Sequence, residues 1–207
     1  MVVVKRLPRY YRYLGELLKQ GVKRISSAAL SEKMGVTASQ VRQDLNCFGG
    51  FGQQGYGYNI ENLYAELGAI LGLNETHTLI IIGAGNLGHA LINYTNIEKR
   101  GYCIIGIFDN DENKIGTEIR GMKVRDAKDL ESFCMQNQVD IAVLTLPKTE
   151  VRDTADRLIE SGVKGLWNFS YVDIPVPDDV AIENVHLIDS LMTLSYQIDE
   201  IKKESNN

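Results

Sequence analysis

A glycine-rich hexapeptide has the spacing of a phosphate-binding turn. The hexapeptide is Gly83-Ala84-Gly85-Asn86-Leu87-Gly88, and the apolar run Thr78–Ile82 leads into it. In this pattern the first glycine permits a tight turn, the second lets the backbone approach a pyrophosphate, and the third lets the following helix pack on the strand. The helix N-terminus offers free N–H groups and a positive dipole end to the phosphates. The hexapeptide therefore predicts a dinucleotide-binding site between a strand and a helix.

An acidic residue at a suitable distance extends this site. Asp109 lies 21 residues beyond Gly88 and ends the apolar run Tyr102–Phe108. A carboxylate there accepts hydrogen bonds from the adenosine ribose and repels a 2′-phosphate, which favours NAD(H) over NADP(H). Coenzyme A or another adenine nucleotide is the main alternative ligand. The predicted cofactor site also includes residues that follow this strand and later ones: Asn110, Lys114, Thr145, Leu146, Pro147, Asn168 and Phe169. The last five border the nicotinamide half of the ligand or are ordinary loop and core.

The second part of the chain alternates apolar runs with helical patterns. Such alternation predicts an α/β fold, a Rossmann-like parallel sheet with helices on both faces. The predicted strands cover 78–82, 102–108, 140–146, 163–169 and 180–188, and the predicted helices cover 87–99, 126–137 and 150–161. The last segment, Ser190–Glu204, has helical spacing with one apolar stripe.

The first part of the chain predicts a winged helix-turn-helix. Three helices are expected over about 8–21, 26–35 and 37–48, because Pro, Ser, Thr and Gly stand where helices start and stop. Glycines interleaved with aromatics over 49–58 predict a short hairpin, the wing. Asn59 then caps a fourth helix.

In this arrangement the third helix enters the major groove of DNA. Arg42 is the best candidate for a bidentate contact with guanine, and Gln40 or Gln43 for adenine. The cations Lys5, Arg6, Arg9, Arg12 and Lys23 suit phosphates. The predicted DNA-binding residues are Lys5, Arg9, Arg12, Ser39, Gln40, Arg42, Gln43, Asn46, Gln53, Gln54 and Tyr56. Each of them alone is typical of a solvated surface, and the prediction depends on the whole arrangement.

Charge is divided unevenly along the chain. The formal net charge is −5, but residues 1–60 carry +6 and the remainder −11. A basic first part favours local binding of phosphates within an acidic protein. No apolar stretch predicts a membrane helix, and the three cysteines suggest reduced thiols of a cytoplasmic protein without a metal site.

Seven stretches together resemble one family: 5–12, 25–27, 41–44, 55–58, 83–88, 114–116 and 186–189. The chain resembles the Rex family of redox-sensing transcriptional repressors along nearly its whole length. The resemblance implies a bacterial homodimer with a winged-helix domain (1–74), a Rossmann NAD(H)-binding domain (75–188) and a C-terminal helix (189–207) swapped between subunits. It implies a repressor that binds palindromic operators when NADH is scarce and releases them when NADH accumulates.

The resemblance also assigns a switch. Arg6 and Tyr94 correspond to residues that contact an aspartate of the partner in one state and lose it in the other, and Asp189 corresponds to that aspartate. The sequence departs from the family pattern at Gln43 and at Gln53-Gln54, which implies weaker phosphate attraction or an altered operator preference. It also departs at His89, which either couples cofactor binding to pH or is an ordinary surface histidine.

A small NAD-dependent dehydrogenase is a second reading. Hydride transfer to a carbonyl needs an acid over the nicotinamide, and none of the histidines His77, His89 and His186 is well placed. The winged helix also leaves no room for a substrate domain. We therefore predict no catalytic residue, and a cofactor that is bound without being turned over. A coenzyme A-responsive regulator of the same build is a third reading, which Asp109 disfavours because that ligand carries a 3′-phosphate.

Overall fold

The computed structural model describes residues 3–53 and 56–205. The chain forms two compact units, Met1–Glu75 and Thr76–Asn207. Among the described residues, no helix combines the length and the apolar character that crossing a membrane requires.

The first unit is a winged helix. A 3-10 turn (Val4–Arg6) precedes α1 (Leu7–Lys19), β1 (Arg24–Ile25), α2 (Ser27–Met34), α3 (Ala38–Asn46), β2 (Gly52–Gln53), β3 (Gly57–Asn59) and α4 (Ile60–Ile70). The predicted order of three helices, hairpin and fourth helix is confirmed. β3 pairs antiparallel with both β1 and β2, so the wing is anchored by a strand, β1, that the sequence pattern did not predict.

Side-chain caps set the boundaries of the helices around the turn. Ser26 Oγ accepts a hydrogen bond from the Ala29 N–H at 3.1 Å, and Thr37 Oγ1 accepts one from the Gln40 N–H at 3.1 Å. Each cap satisfies an amide that has no partner within its helix. Gly35, at φ 62°, ends α2 in the left-handed conformation that glycine adopts without penalty. Every helix contributes fully buried apolar residues to the core beneath, among them Leu7, Tyr10, Leu14, Leu30, Val41, Leu45, Ile60, Leu63 and Leu67.

The second unit is a doubly wound sheet. Its elements are β4 (His77–Ile82), α5 (Asn86–Asn93), a 3-10 turn (Glu98–Arg100), β5 (Tyr102–Asp109), β6 (Glu118–Ile119), β7 (Met122–Asp126), a 3-10 turn (Ala127–Asp129), α6 (Leu130–Gln136), β8 (Ile141–Leu144), α7 (Val151–Glu160), β9 (Gly165–Asn168), β10 (Ala181–Asn184) and α8 (Leu187–Ser205). The strand order is β10-β9-β8-β4-β5-β7-β6, and all pairings except β6–β7 are parallel. The order reverses between β4 and β8, and ligands of such sheets bind in the crevice at that point.

Two sequence predictions about this unit are wrong, and one hairpin was not predicted. The helix expected over 87–99 ends at Asn93, whose amide donates to the His89 carbonyl oxygen at 2.8 Å and so competes with helix propagation. The strand expected over 180–188 ends at Asn184, because its neighbour β9 ends at the paired Asn168. The β6–β7 hairpin was not predicted, since its strands are short and its turn holds Arg120 at φ 49°.

The last helix, α8, has no covered face in the single chain. None of its residues is buried. Eight large apolar side chains are 43% to 66% exposed: Leu187, Ile188, Leu191, Met192, Leu194, Tyr196, Ile198 and Ile201. An apolar surface of this size is typical of a contact with another protein chain.

Candidate nucleotide site and DNA interface

The glycine turn lies at the carboxyl end of β4, where the strand order reverses. Gly83 has φ 98°, and a Cβ there would come within 2.5 Å of the Thr145 carbonyl oxygen. A Cβ on Gly88 would come within 1.9 Å of the Gly83 carbonyl oxygen. Both glycines are therefore required by close packing inside the protein. A Cβ on Gly85 would meet no atom within 4 Å, so the protein itself leaves the space above this residue open.

Thr145 ties the end of β8 to the glycine turn. Its N–H donates to the Ile82 carbonyl oxygen at 2.9 Å, and its hydroxyl lies 2.7 Å from the Gly83 carbonyl oxygen. The hydroxyl is also within 3.0 Å of the position that a Gly88 Cβ would take. Thr145 thus packs against the glycine turn, and its hydroxyl donates to the protein backbone.

Asp109 is 5% exposed and organises the neighbouring turns. Its Oδ2 accepts hydrogen bonds from the Ala84 N–H at 2.7 Å and from Lys114 Nζ at 3.1 Å, and its Oδ1 accepts one from the Asp111 N–H at 2.9 Å. A carboxylate offers about four acceptor positions, so one remains for a ligand hydroxyl. The structure thus brings Asp109 and Lys114 to the glycine turn, as the sequence indicated.

A cavity of about 370 Å³ opens beside Asp109. Apolar side chains form one part of its lining, and three carboxylates, those of Asp109, Glu150 and Asp153, form another. The lining residues are Ile82, Asp109, Asn110, Ala127, Leu146, Thr149, Glu150, Asp153, Thr154 and Arg157. The apolar walls and hydrogen-bonding rim suit a flat heterocycle attached to a ribose.

Sequence reasoning missed the acidic side of this cavity. Asn110 Nδ2 donates to Glu150 Oε2 at 2.8 Å, which joins the turn after β5 to the start of α7. Arg157 is paired with Glu131 through two contacts of 2.5 and 3.0 Å, and this pairing lowers the pKa of Glu131. The sequence did offer one indication that Glu150 lies near the site. Glu150 follows β8 closely, and α7 therefore starts at the same sheet edge as the glycine turn.

The two residues predicted after β9 differ in environment. Asn168 is fully buried: its Nδ2 donates to the Val172 carbonyl oxygen and to Asn184 Oδ1, and its Oδ1 accepts from Ser170. These hydrogen bonds show that Asn168 stabilises the loop after β9. Phe169 is half-buried and packs edge-on against Trp167, with ring centroids 4.7 Å apart. Pro147 and Asn86 are exposed, at the carboxyl side of β8 and the start of α5.

The polar side of α3 forms the candidate DNA interface. Ser39, Arg42, Gln43 and Asn46 are exposed, and Gln40 is half-buried. Arg42 Nη1 donates to Ser27 Oγ at 3.1 Å, which holds the guanidinium near the start of α2.

The remaining predicted DNA contacts lie on α1, its preceding turn and the wing. Lys5, Arg9 and Arg12 are exposed. Tyr56 is 71% exposed in the wing, with the Arg24 guanidinium 5.9 Å from its ring centroid. Gln53 belongs to β2, and Gln54 lies outside the described residues.

Asp44 is a buried acid on α3 that sequence reasoning did not single out. It is fully buried and accepts hydrogen bonds from Arg6, Tyr10 and Gln40. The Arg6 guanidinium lowers the pKa of Asp44, and burial raises the pKa of Tyr10. The carboxylate is therefore ionised at neutral pH inside the winged helix.

Two family models match the chain, one on each unit. Residues 1–46 match a family described as putative DNA-binding protein N-terminus, and residues 74–172 match one described as CoA binding domain. A curated Rex repressor of Thermoanaerobacter sp. (strain X514) is 60% identical over 97% of this chain and 89% of its own. One of Clostridium botulinum (strain Eklund 17B / Type B) is 52% identical over 96% and 94%. The chain belongs to the Rex family of redox-sensing transcriptional repressors.

Solved structures of a Rex-family repressor, RSP, share the fold. RSP in complex with β-NAD⁺ and operator DNA has a TM-score of 0.92 and 57% identity, with 100% of this chain and 95% of RSP covered. RSP in complex with β-NADH has a TM-score of 0.92 and 54% identity, with 100% and 97% covered. The predicted combination of a DNA-binding unit and a Rossmann-like unit is thereby confirmed.

The residues expected to form the Rex switch lie in three places. Arg6 is bound to Asp44 of its own chain, through Nε to Oδ2 at 2.7 Å and Nη2 to Oδ1 at 2.5 Å. Tyr94 is 55% exposed just after α5, and Asp189 is exposed in the first turn of α8. His89 is exposed on α5, and its Nδ1 lies 3.0 Å from the Asn93 side-chain nitrogen.

Proposed function

We propose that this protein is an NADH-responsive transcriptional repressor. It binds palindromic operator DNA when NADH is scarce and releases it when NADH binds. One observation carries the proposal: the chain holds both a winged helix with a polar recognition helix and a glycine turn beside a buried aspartate. The complexes of RSP with operator DNA, NAD⁺ and NADH support the same pair of ligands.

The proposal can be tested by fluorescence anisotropy. An operator duplex is first selected from a randomised library by binding to the protein, and it is then labelled. The complex of protein and labelled duplex is titrated with NADH and, separately, with NAD⁺. We expect NADH to release the duplex at a lower concentration than NAD⁺, since a closed apolar site disfavours the positive nicotinamide ring. Failure to select any duplex, or equal release by both nucleotides, would contradict the proposal.

The ligand is proposed to be bound without being turned over. Of the three histidines, His77 begins β4 at the edge opposite the glycine turn, and His89 points from α5 towards Asn93. His186 follows β10 and lies 3.3 Å from Asp173. NADH fluorescence is expected to stay constant with a panel of aldehydes and ketones, and steady consumption of NADH would revive the dehydrogenase reading.

The acidic cavity predicts that coenzyme A does not compete with NADH. The carboxylates of Asp109, Glu150 and Asp153 line the cavity, and Arg157, the one cation among its described lining residues, is paired with Glu131. A 3′-phosphate on the adenosine would enter a negative potential. In a displacement titration followed by NADH fluorescence, ADP-ribose is the matched control, because its adenosine carries a 5′-diphosphate but no 3′-phosphate. We expect ADP-ribose to displace NADH and coenzyme A to fail; equal displacement would favour the coenzyme A reading.

We further propose that the protein is a homodimer in which a second copy covers α8. The eight exposed apolar side chains of this helix support the proposal, since a helix with a wet apolar stripe gains little stability on its own. Swapping of α8 between subunits stays a prediction. Sedimentation equilibrium is expected to give twice the chain mass of 23.1 kDa, and a Leu191→Glu variant should shift the protein towards the monomer. A monomeric wild-type protein would contradict the homodimer.

A further inference from the structure

We infer that Asp44 is a positioning residue for DNA recognition: it fixes the side chain of Gln40 on α3, although it is itself buried away from any DNA. This inference rests on the proposed operator binding and names a residue that sets its selectivity. Four hydrogen bonds converge on the carboxylate of Asp44.

The carboxylate of Asp44 is saturated with donors. Oδ1 accepts from Arg6 Nη2 at 2.5 Å and from Gln40 Nε2 at 2.8 Å, and Oδ2 accepts from Arg6 Nε at 2.7 Å and from the Tyr10 hydroxyl at 3.0 Å. These four bonds use the acceptor positions that a carboxylate has. Because Tyr10 and Asp44 are both fully buried, the group is held by the core of the winged helix.

Chemistry fixes which end of the Gln40 amide faces Asp44. An ionised carboxylate only accepts hydrogen bonds, so Gln40 must direct its NH₂ group inward. One N–H is then engaged, and the amide oxygen and the second N–H remain. An acceptor and a donor on one amide are the pair that binds adenine N6 and N7 in the major groove.

The location of Gln40 fits this role. It is the third residue of α3, and its own N–H is capped by Thr37 at 3.1 Å. Recognition helices contact base edges with their N-terminal residues. A glutamine with three rotatable bonds normally loses side-chain entropy when it binds, and the bond to Asp44 restricts that freedom before DNA arrives.

Arg6 keeps the carboxylate of Asp44 ionised. Its guanidinium binds both oxygens of Asp44 with the fork geometry of a bidentate pair. Since Arg6 is followed by α1 and Asp44 lies on α3, the pair also connects the two helices. Asp44 thus contacts Arg6, Tyr10 and Gln40, and its effect on base selectivity is expected to pass through Gln40 alone.

The test compares duplexes selected from a randomised library by four full-length proteins: wild type, Asp44→Asn, Gln40→Ala and the double variant. We expect Gln40→Ala to lose preference at particular base pairs, and Asp44→Asn to lose about tenfold discrimination at the same base pairs while keeping the others. The double variant should match Gln40→Ala. An unchanged motif in Asp44→Asn, or equal weakening at every position, would overturn the inference. If the wild type selected no duplex, the proposed function would fail instead.

A second measurement covers the outcome in which Asp44→Asn does not fold. In the free wild-type protein, the side-chain NH₂ of Gln40 is expected to exchange with solvent several-fold more slowly than that of Gln43, which is exposed on the same helix. Assigned ¹H–¹⁵N spectra report both groups. Equal exchange of the two side chains would show that Asp44 does not hold Gln40.

Discussion

Gly85→Ala is expected to abolish the response to NADH at concentrations that release the operator from the wild type, with operator binding itself intact. A Cβ at this position meets no protein atom within 4 Å, and the backbone, at φ −77° and ψ −170°, suits alanine. In the proposed complex the pyrophosphate occupies this space. An added methyl group in a filled site typically costs about 1–3 kcal/mol, which corresponds to about 5- to 160-fold weaker NADH binding.

Calorimetric titration measures the affinity of Gly85→Ala for NADH, and thermal unfolding of the free protein measures its stability. Gly88→Ala is the informative contrast, because its Cβ would lie 1.9 Å from the Gly83 carbonyl oxygen. That variant should lower the unfolding temperature, whereas Gly85→Ala should leave it unchanged. Unaltered NADH affinity in Gly85→Ala would place the phosphates elsewhere.

Arg42→Ala is expected to weaken operator binding by about 1–3 kcal/mol, the usual worth of a bidentate contact with guanine. Arg42 is exposed on α3, and its bond to Ser27 Oγ holds it near the start of α2. Binding to unrelated DNA should change much less, since the phosphate contacts proposed for Lys5, Arg9 and Arg12 are left intact in this variant.

Arg42→Lys separates two explanations of such a loss. Lysine keeps the charge but lacks the planar fork, so it serves a phosphate about as well and a guanine less well. If Arg42 reads a base, Arg42→Lys should resemble Arg42→Ala on the operator. If Arg42→Lys retains the wild-type affinity and salt dependence, Arg42 is a phosphate contact and the assignment to guanine is wrong.

The sequence predicted those parts of the fold that local chemistry determines. The caps Ser26, Thr37 and Asn59 start helices as expected, and the glycine turn follows β4 because only glycine fits beside the Thr145 carbonyl oxygen. The β6–β7 hairpin escaped prediction, since two- and five-residue strands give too short an alternation to recognise.

The candidate sites were predictable only where a characteristic spacing along the chain links their residues. The glycine turn and Asp109 have a fixed spacing, so the sequence located them. Asp44 and Glu150 were missed because the role of each depends on a hydrogen bond to a residue far away along the chain. Asp44 binds Arg6, 38 residues away, and Glu150 binds Asn110, 40 residues away. No periodicity marks such pairs, and the burial of a carboxylate is visible only after the chain has folded.

The uncovered apolar face of α8 would make the abundance of this protein a regulatory quantity in the proposed homodimer. If a second copy covers the helix, chains that are dilute relative to the dimer's dissociation constant pair in proportion to the square of their concentration. Halving synthesis would then leave about a quarter of the dimer, by the same mass-action relation. Gene dosage would thus set how much repressor is available before NADH has any influence.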